Sequence, residues 1–334
     1  MSIGREGRMT SARDGASEVI AVVGASRSHE AEIREAAAGG EVVALPELSG
    51  EACLAAGYEP AQVTAVLGAS PSDDLSGLPA LRWVHSAAAG VDGWLGGAGL
   101  PERIMLTSAA GNGAIPLAEH ALMLMLMLSR DAPRWMRAQT EHRWDRYSHG
   151  ELAGQSLGII GYGNSGRDLA TKALACHMRV SALRRRVGER ADRPVRILTG
   201  RDGLEELLHT SDVVVVTAPY TDATAGLLGA EEIAIMPEGA HLVVVSRGRI
   251  VEEDALIAAL RSGHLAGAGL DAHSVEPLPA DSPLWDLPGA IVTPHNGATS
   301  AATAERGLQI MLENVRRWCG GAELLNVVDR VNGY

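Results

Sequence analysis

Arg247 follows Val243-Val244-Val245-Ser246 and precedes Gly248, Glu276 precedes Pro277 in the loop after Leu270-Asp271, and His295 follows Thr293-Pro294. An arginine can grip an anion with paired N–H groups and polarise a carbonyl. A histidine can give up a proton near neutral pH. A carboxylate beside that histidine orients its ring and favours the charged form. Brought together, the three supply what hydride reduction of a ketone requires: an anchor, a proton donor and a group that aims the donor. Separately they read as a surface arginine, a loop carboxylate and a structural histidine.

Upstream, Gly161-Tyr162-Gly163-Asn164-Ser165-Gly166 matches G-x-G-x-x-G. It lies directly after the apolar run 157–160 and directly before a helical stretch at 167–176. Gly161 permits a tight turn, Gly163 lets backbone approach a pyrophosphate, and Gly166 lets helix pack closely on strand. The phosphates would then rest on amides at the helix N-terminus. The next apolar run, 179–183, should end in an acidic residue that holds the ribose 2′-hydroxyl of NAD. Arg184-Arg185-Arg186 stand there instead. Guanidinium groups suit a 2′-phosphate, so the sequence predicts NADPH over NADH, with Arg184 and Arg185 among the contacts.

The rest of the composition narrows the chemistry. Lys172 is the only lysine in 334 residues, so most of the 29 basic residues are arginines. A Walker A loop is excluded, because no Gly-Lys pair exists. A Tyr-x-x-x-Lys pair is also excluded, because Asp168 lies four residues before Lys172, and no lysine remains further on to serve a lysine-dependent hydroxyacid dehydrogenase. A net charge of -12 and 3% aromatic residues argue against nucleic acid and anionic membranes as partners. Three scattered cysteines, Cys53, Cys176 and Cys319, suggest neither a disulfide framework nor a metal site, and fit a cytoplasmic setting. The Met- and Leu-rich run 121–128 is far short of the roughly 20 residues of a membrane span, and reads as a buried helix. Residues 1–17 read as a disordered polar tail.

The elements that must position these residues alternate between short apolar runs and helical stretches. Runs at 18–23, 41–45, 63–67 and 82–85 predict a first, smaller α/β unit. Six more, at 157–160, 179–183, 212–217, 241–246, 266–270 and 290–293, predict a doubly wound parallel sheet. Single cores stop growing near about 250 to 300 residues, so two domains are expected, with a cleft between them as the working site. The boundaries read as 18–117 with 304–334 for a discontinuous first domain, and 118–303 for the dinucleotide domain. A helix at 301–319 and the apolar run 324–328 carry the chain back to the first.

With these motifs in order, the chain resembles the D-isomer-specific 2-hydroxyacid dehydrogenases. The resemblance rests on Ala89-Gly90-Val91-Asp92, Leu117-Ala118-Glu119-His120, Gly161 to Gly166, Ser211-Asp212, Ala218-Pro219, Arg247-Gly248, Glu276-Pro277-Leu278-Pro279 and Thr293-Pro294-His295. It implies two Rossmann-like domains, the smaller flavodoxin-like and substrate-binding. It also implies that Arg247, Glu276 and His295 are catalytic and that the backbone of Ala89 and Gly90 cradles a substrate carboxylate beside Arg247 and His295. Asn164 and Ser165 would contact the pyrophosphate, Ala218 and Pro219 the adenosine side, and Val245, Ser246 and Asp271 the nicotinamide end. Small 2-keto acids such as glyoxylate or hydroxypyruvate are the implied substrates, and a homodimer the implied assembly, with contacts around Trp135, Trp144 and residues 137–146.

This sequence departs from the family pattern in three places. Arg184 replaces the usual Asp, Val244 stands where Asn is common, and His273 occupies a site often aromatic. His273 is a second candidate proton donor, although packing is its favoured role. A cofactor-sensing corepressor would keep the same residues. A formate dehydrogenase would carry Gln at the place of Glu276.

Overall fold

The computed structural model describes residues 18–96, 100–185 and 194–333. The tail 1–17 and Arg186 lie outside the described residues. The chain divides into two compact α/β units.

The first unit, residues 18–88, 100–109 and 308–328, is built on a parallel five-stranded sheet. Its strands are β1 Val19–Val22, β2 Glu41–Ala44, β3 Val63–Leu67, β4 Trp83–Ser86 and β5 Met105–Ser108, in the order β2-β1-β3-β4-β5. This is the flavodoxin-like order. The apolar character of β1, and of β3 apart from Thr64, follows from their position: both are buried along their whole length. Sequence patterning finds four of the five. Met-Leu-Thr-Ser in β5 has no apolar run, and its strand character comes from pairing with β4 in the register Trp83↔Met105. The core joins Ile20, Val22, Ile33, Leu67 and Trp83 to Met311, Leu312 and Val315 of the helix Ala301–Gly320. The run 324–328 meets β5 through an antiparallel bridge, Thr107↔Val327, with Val328 N donating to Leu106 O at 2.9 Å.

The second unit carries seven parallel strands: β6 Ser156–Ile160, β7 Arg179–Leu183, β8 Arg196–Leu198, β9 Val213–Val216, β10 Ala240–Val244, β11 Leu265–Leu270 and β12 Ala290–Val292. Their order is β12-β11-β10-β9-β6-β7-β8, the dinucleotide-fold order with one strand added. Here too a strand escapes the sequence pattern. β8 is three residues at the sheet edge, too short for a periodicity to register. The reversal of strand order falls between β6 and β9, where such sheets bind ligands at their carboxyl ends.

A boundary at residue 117 would cut the helix Ala114–Ser129, which belongs wholly to the second unit, as do residues 89–96. A helix packs as a rigid body, so the division falls before its first turn. That helix is also not buried all round. Ala118, Ala121, Leu124, Met125 and Leu128 are buried, while Ile115, Met123 and Leu126 face outward. The all-apolar run hides this, because a helix shows two faces only when their polarity differs. Among the described residues, no helix is long and apolar enough to cross a membrane.

Candidate active site

The glycine loop leaves the end of β6 and enters the helix Asn164–Ala175. Gly161 lies in the left-handed region, φ 97°, and a side chain there would clash with the backbone of Ala218. Thr217 Oγ1 donates to Gly161 O at 2.5 Å, tying the turn to the end of β9. A Cβ on Gly166 would run into the Gly161 carbonyl oxygen. Gly163 differs, since a Cβ there would meet no described atom within 4 Å. The outer glycines are therefore demanded by the protein's own packing, whereas the middle one faces open space. The helix opens on Asn164, Ser165, Gly166 and Arg167, with no side-chain cap from Gly163 and no acidic residue in its first turn. Its N-terminal amides and partial positive charge thus suit an anion.

Along the same rim lie further residues nominated from the sequence. Ala218 is buried against Gly161, and the Pro219 carbonyl accepts from Thr224 Oγ1 at 2.7 Å. Val245 and Ser246 follow β10, and among the described residues the buried Ser246 Oγ has no hydrogen-bond partner. Arg184 and Arg185 follow β7, with Arg184 N donating to Leu198 O at 3.0 Å. An open glycine, an anion-seeking helix start and an unpartnered hydroxyl together fit a nicotinamide dinucleotide.

Arg247, Glu276 and His295 lie just beyond the carboxyl ends of β10, β11 and β12. These strands are parallel and adjacent, so their ends share the rim that carries the glycine loop. His295 Nδ1 is 2.8 Å from Glu276 Oε2, and His273 N donates to Glu276 Oε1 at 2.9 Å. Burial pushes the Glu276 carboxyl up, but these two donations outweigh it and hold the pKa below its ordinary value. The ionised carboxylate therefore accepts from Nδ1–H, which leaves Nε2 as the atom able to deliver a proton outward. His295 itself adopts φ 52°, rare for a residue with a side chain. The loop holding this conformation is tied down by Asp271, which accepts from Asn296 N at 3.1 Å and Gly297 N at 2.9 Å.

Arg247 is fixed by its neighbour. A Cβ on Gly248 would overlap the backbone of His273, so only glycine lets the loop after β10 abut the loop that carries Glu276. Ala89 and Gly90 are exposed, and a side chain on Gly90 would collide with Arg247 Nη2. His273, the competing histidine, is 8% exposed, with Nε2 3.0 Å from the Thr293 carbonyl. Its ring is turned into the protein, whereas that of His295 is exposed.

The family model for the D-isomer specific 2-hydroxyacid dehydrogenase NAD binding domain matches residues 122–297, more than half of the chain. The chain belongs to the D-isomer specific 2-hydroxyacid dehydrogenase family. A structure from Xanthobacter autotrophicus Py2, in complex with NADPH and MES, is 33% identical with a TM-score of 0.83, covering 96% of this chain and 100% of that one. The NADPH-dependent glyoxylate/hydroxypyruvate reductase of Sinorhizobium meliloti, in complex with NADP and sulfate, is 27% identical with a TM-score of 0.77, covering 95% and 100%. The D-3-phosphoglycerate dehydrogenase of Bacillus subtilis is 32% identical over 254 residues, 75% of this chain and 48% of the relative. The chain spans about half the length of the curated relatives of that type.

In this 2-hydroxyacid dehydrogenase family member, Asp271 lies at the base of the His295 loop. It is fully buried, and its carboxylate is engaged by the protein itself: Thr293 Oγ1 donates at 2.6 Å and His120 Nε2 lies 3.3 Å away. Burial would raise its pKa, but these bonds and that from Gly297 hold it well below the usual carboxylate range. Asp271 thus anchors the His295 loop from beneath. Patterning names His120 only as part of a motif and assigns no part to Thr293. Their partnership, 3.0 Å between His120 Nε2 and Thr293 Oγ1, joins positions 173 apart, a separation at which a single sequence carries no signal.

Proposed function

We propose that this protein reduces a small 2-keto acid to the D-2-hydroxy acid, using NADPH in preference to NADH. The observation that carries the reading is the His295–Glu276 pair at 2.8 Å on the rim shared with Arg247 and the glycine loop. Bound at that loop, the nicotinamide cofactor supplies the hydride that reaches the carbonyl carbon. Arg247 holds the substrate carboxylate and draws electron density toward the keto oxygen. His295 Nε2 passes its proton to that oxygen and is left neutral, while Glu276 keeps the ring aimed and its charge balanced. The exposed backbone at Ala89 and Gly90, beside Arg247, cradles the carboxylate. The preference for NADPH rests on Arg184 and Arg185, cations where a carboxylate would repel a 2′-phosphate.

Small, singly charged substrates such as glyoxylate and hydroxypyruvate fit the uncharged residues Ala89, Gly90 and Asn112 better than a phosphorylated acid. The proposed assembly is a homodimer formed around Trp135, Trp144 and residues 137–146, with the protein located in the cytoplasm. Trp135, Met136 and Trp144 are 42%, 60% and 95% exposed. The segment bearing Trp144 is braced by Arg134, which grips Asp145 at 2.6 and 2.9 Å and covers the Tyr147 ring at 3.9 Å. Sedimentation of the native protein and of Trp144→Ala checks this assembly.

NADPH oxidation measured against glyoxylate, hydroxypyruvate, pyruvate, bulkier 2-keto acids and 3-phosphohydroxypyruvate tests the activity. Turnover of the small acids is expected, and no oxidation with any of them would overturn the reading in favour of a cofactor-binding protein. Equal or better kcat/KM with NADH would overturn the cofactor preference.

A further inference from the structure

Arg247, on which the proposed reaction depends, is held by three hydrogen bonds. Its Nε and Nη2 both donate to Asp92 Oδ1, at 3.2 and 2.9 Å, and its Nη1 turns back to the Ser246 carbonyl at 2.8 Å. A guanidinium carries five N–H groups in a rigid planar fork. Asp92 takes the side edge, made of Nε and Nη2. Ser246 takes one hydrogen of Nη1. What remains is the end edge, one N–H from each Nη, a parallel pair matched to two oxygens on adjacent or shared carbons. Gly90 completes the arrangement, because any side chain there would take the place of Nη2. Asp92 lies only two residues beyond Gly90, so the turn that would cradle a carboxylate also aims the arginine that would bind it.

We propose that Asp92 is a positioning residue that dictates which edge of Arg247 a substrate meets. By taking the side edge, it reserves the end edge for the carboxylate and keto oxygens of a 2-keto acid. This rests on the reading of Arg247 as the substrate anchor. With Asp92 removed, the fork turns about its long stem, and the end edge points at the substrate for only part of the time. The hydrogen-bond acceptor matters here more than the negative charge, so an asparagine, whose Oδ1 can accept the same two N–H groups, should keep the geometry.

The test compares Asp92→Ala and Asp92→Asn with the native protein, using the best substrate of the keto-acid panel. Asp92→Ala should lower kcat/KM by roughly 10- to 100-fold, mostly through KM, with NADPH affinity unchanged. Asp92→Asn should recover most of that loss. Unchanged or improved kcat/KM in Asp92→Ala would overturn the proposal, improvement meaning that Asp92 competes with substrate. Equal losses in both variants would overturn it too, since the acceptor would then not be the cause. A second measurement needs no turnover. The Nε–H resonance of Arg247, assigned by its disappearance in Arg247→Lys, should exchange slowly with water in the native protein and in Asp92→Asn, and fast in Asp92→Ala. If the native protein reduces no 2-keto acid, the proposed function fails, while this resonance still decides whether Asp92 holds the arginine.

Discussion

Gly166 and Gly90 both leave room that a side chain would fill, yet the neighbours that use the room are of different kinds. At Gly166 the neighbour is the carbonyl oxygen of Gly161, part of a turn locked to the sheet. At Gly90 it is the guanidinium of Arg247, the far end of a flexible side chain. One end of the rim is therefore shaped by backbone that cannot move without disturbing the fold. The other is shaped by polar side chains on loops, fixed to one another by hydrogen bonds such as Arg247–Asp92 and His295–Glu276. A cofactor common to many enzymes can be met by backbone. Chemistry on one particular substrate needs side chains, and these can be displaced without unfolding anything.

The contrast is sharpest at His295. Replacement by Ala should lower kcat by roughly 10² to 10⁴, as loss of a general acid does, with NADPH binding and thermal midpoint close to native. Unchanged turnover would remove His295 from the mechanism, and unfolding would show that the loops are not independent of the fold. Gly166→Ala should show the opposite behaviour. Pushing a methyl group against the Gly161 carbonyl should cost about 3 kcal/mol in stability, read from urea unfolding, together with a loss of NADPH affinity.

Outside both regions, His85 in β4 tests whether the first unit carries its own sensitivity to pH. It is fully buried, with Nδ1 2.8 Å from Thr107 Oγ1, and burial holds its pKa down to about 4. The unfolded chain takes up the proton near the ordinary histidine value of roughly 6.5. Stability should thus fall as pH drops from about 6.5 toward 4, by about 3 kcal/mol over the window, and the fall should shrink in His85→Gln. Urea midpoints across that range measure it. Gly90→Ala gives the smallest effect and the most direct test of the contrast. Since only the guanidinium and, slightly, the Asp92 carboxylate must yield, kcat/KM should drop roughly tenfold while the urea midpoint barely changes; a large loss of stability there would erase the distinction between the two regions.

Much of the fold is legible in the residues because strands buried on both faces are mostly apolar, with few polar exceptions such as Thr64 and His85. This holds for Val-Val-Val-Val in β9 as for Val-Ile-Ala-Val in β1. The edge strands β5 and β8 are not legible, since their pairing depends on a neighbour rather than on their own composition. The glycine loop is legible because its glycine spacing is written in six consecutive residues between a strand and a helix, although Gly161 is held by Thr217 and Ala218 as well.

For the proposed acid–base and anchoring groups, residue types alone nominate Arg247, Glu276 and His295, and order along the chain places them after three strands. The side chains that aim them depend on packing between distant segments. Asp92 meets Arg247 across 155 positions, and Thr293 and His120 reach Asp271 from opposite directions along the chain. Local sequence determines which chemistry is available, because donor type, charge and backbone freedom are properties of single residues and short turns. Tertiary structure alone decides the direction in which each group points, because a hydrogen bond between loops exists only after the strands beneath them have paired.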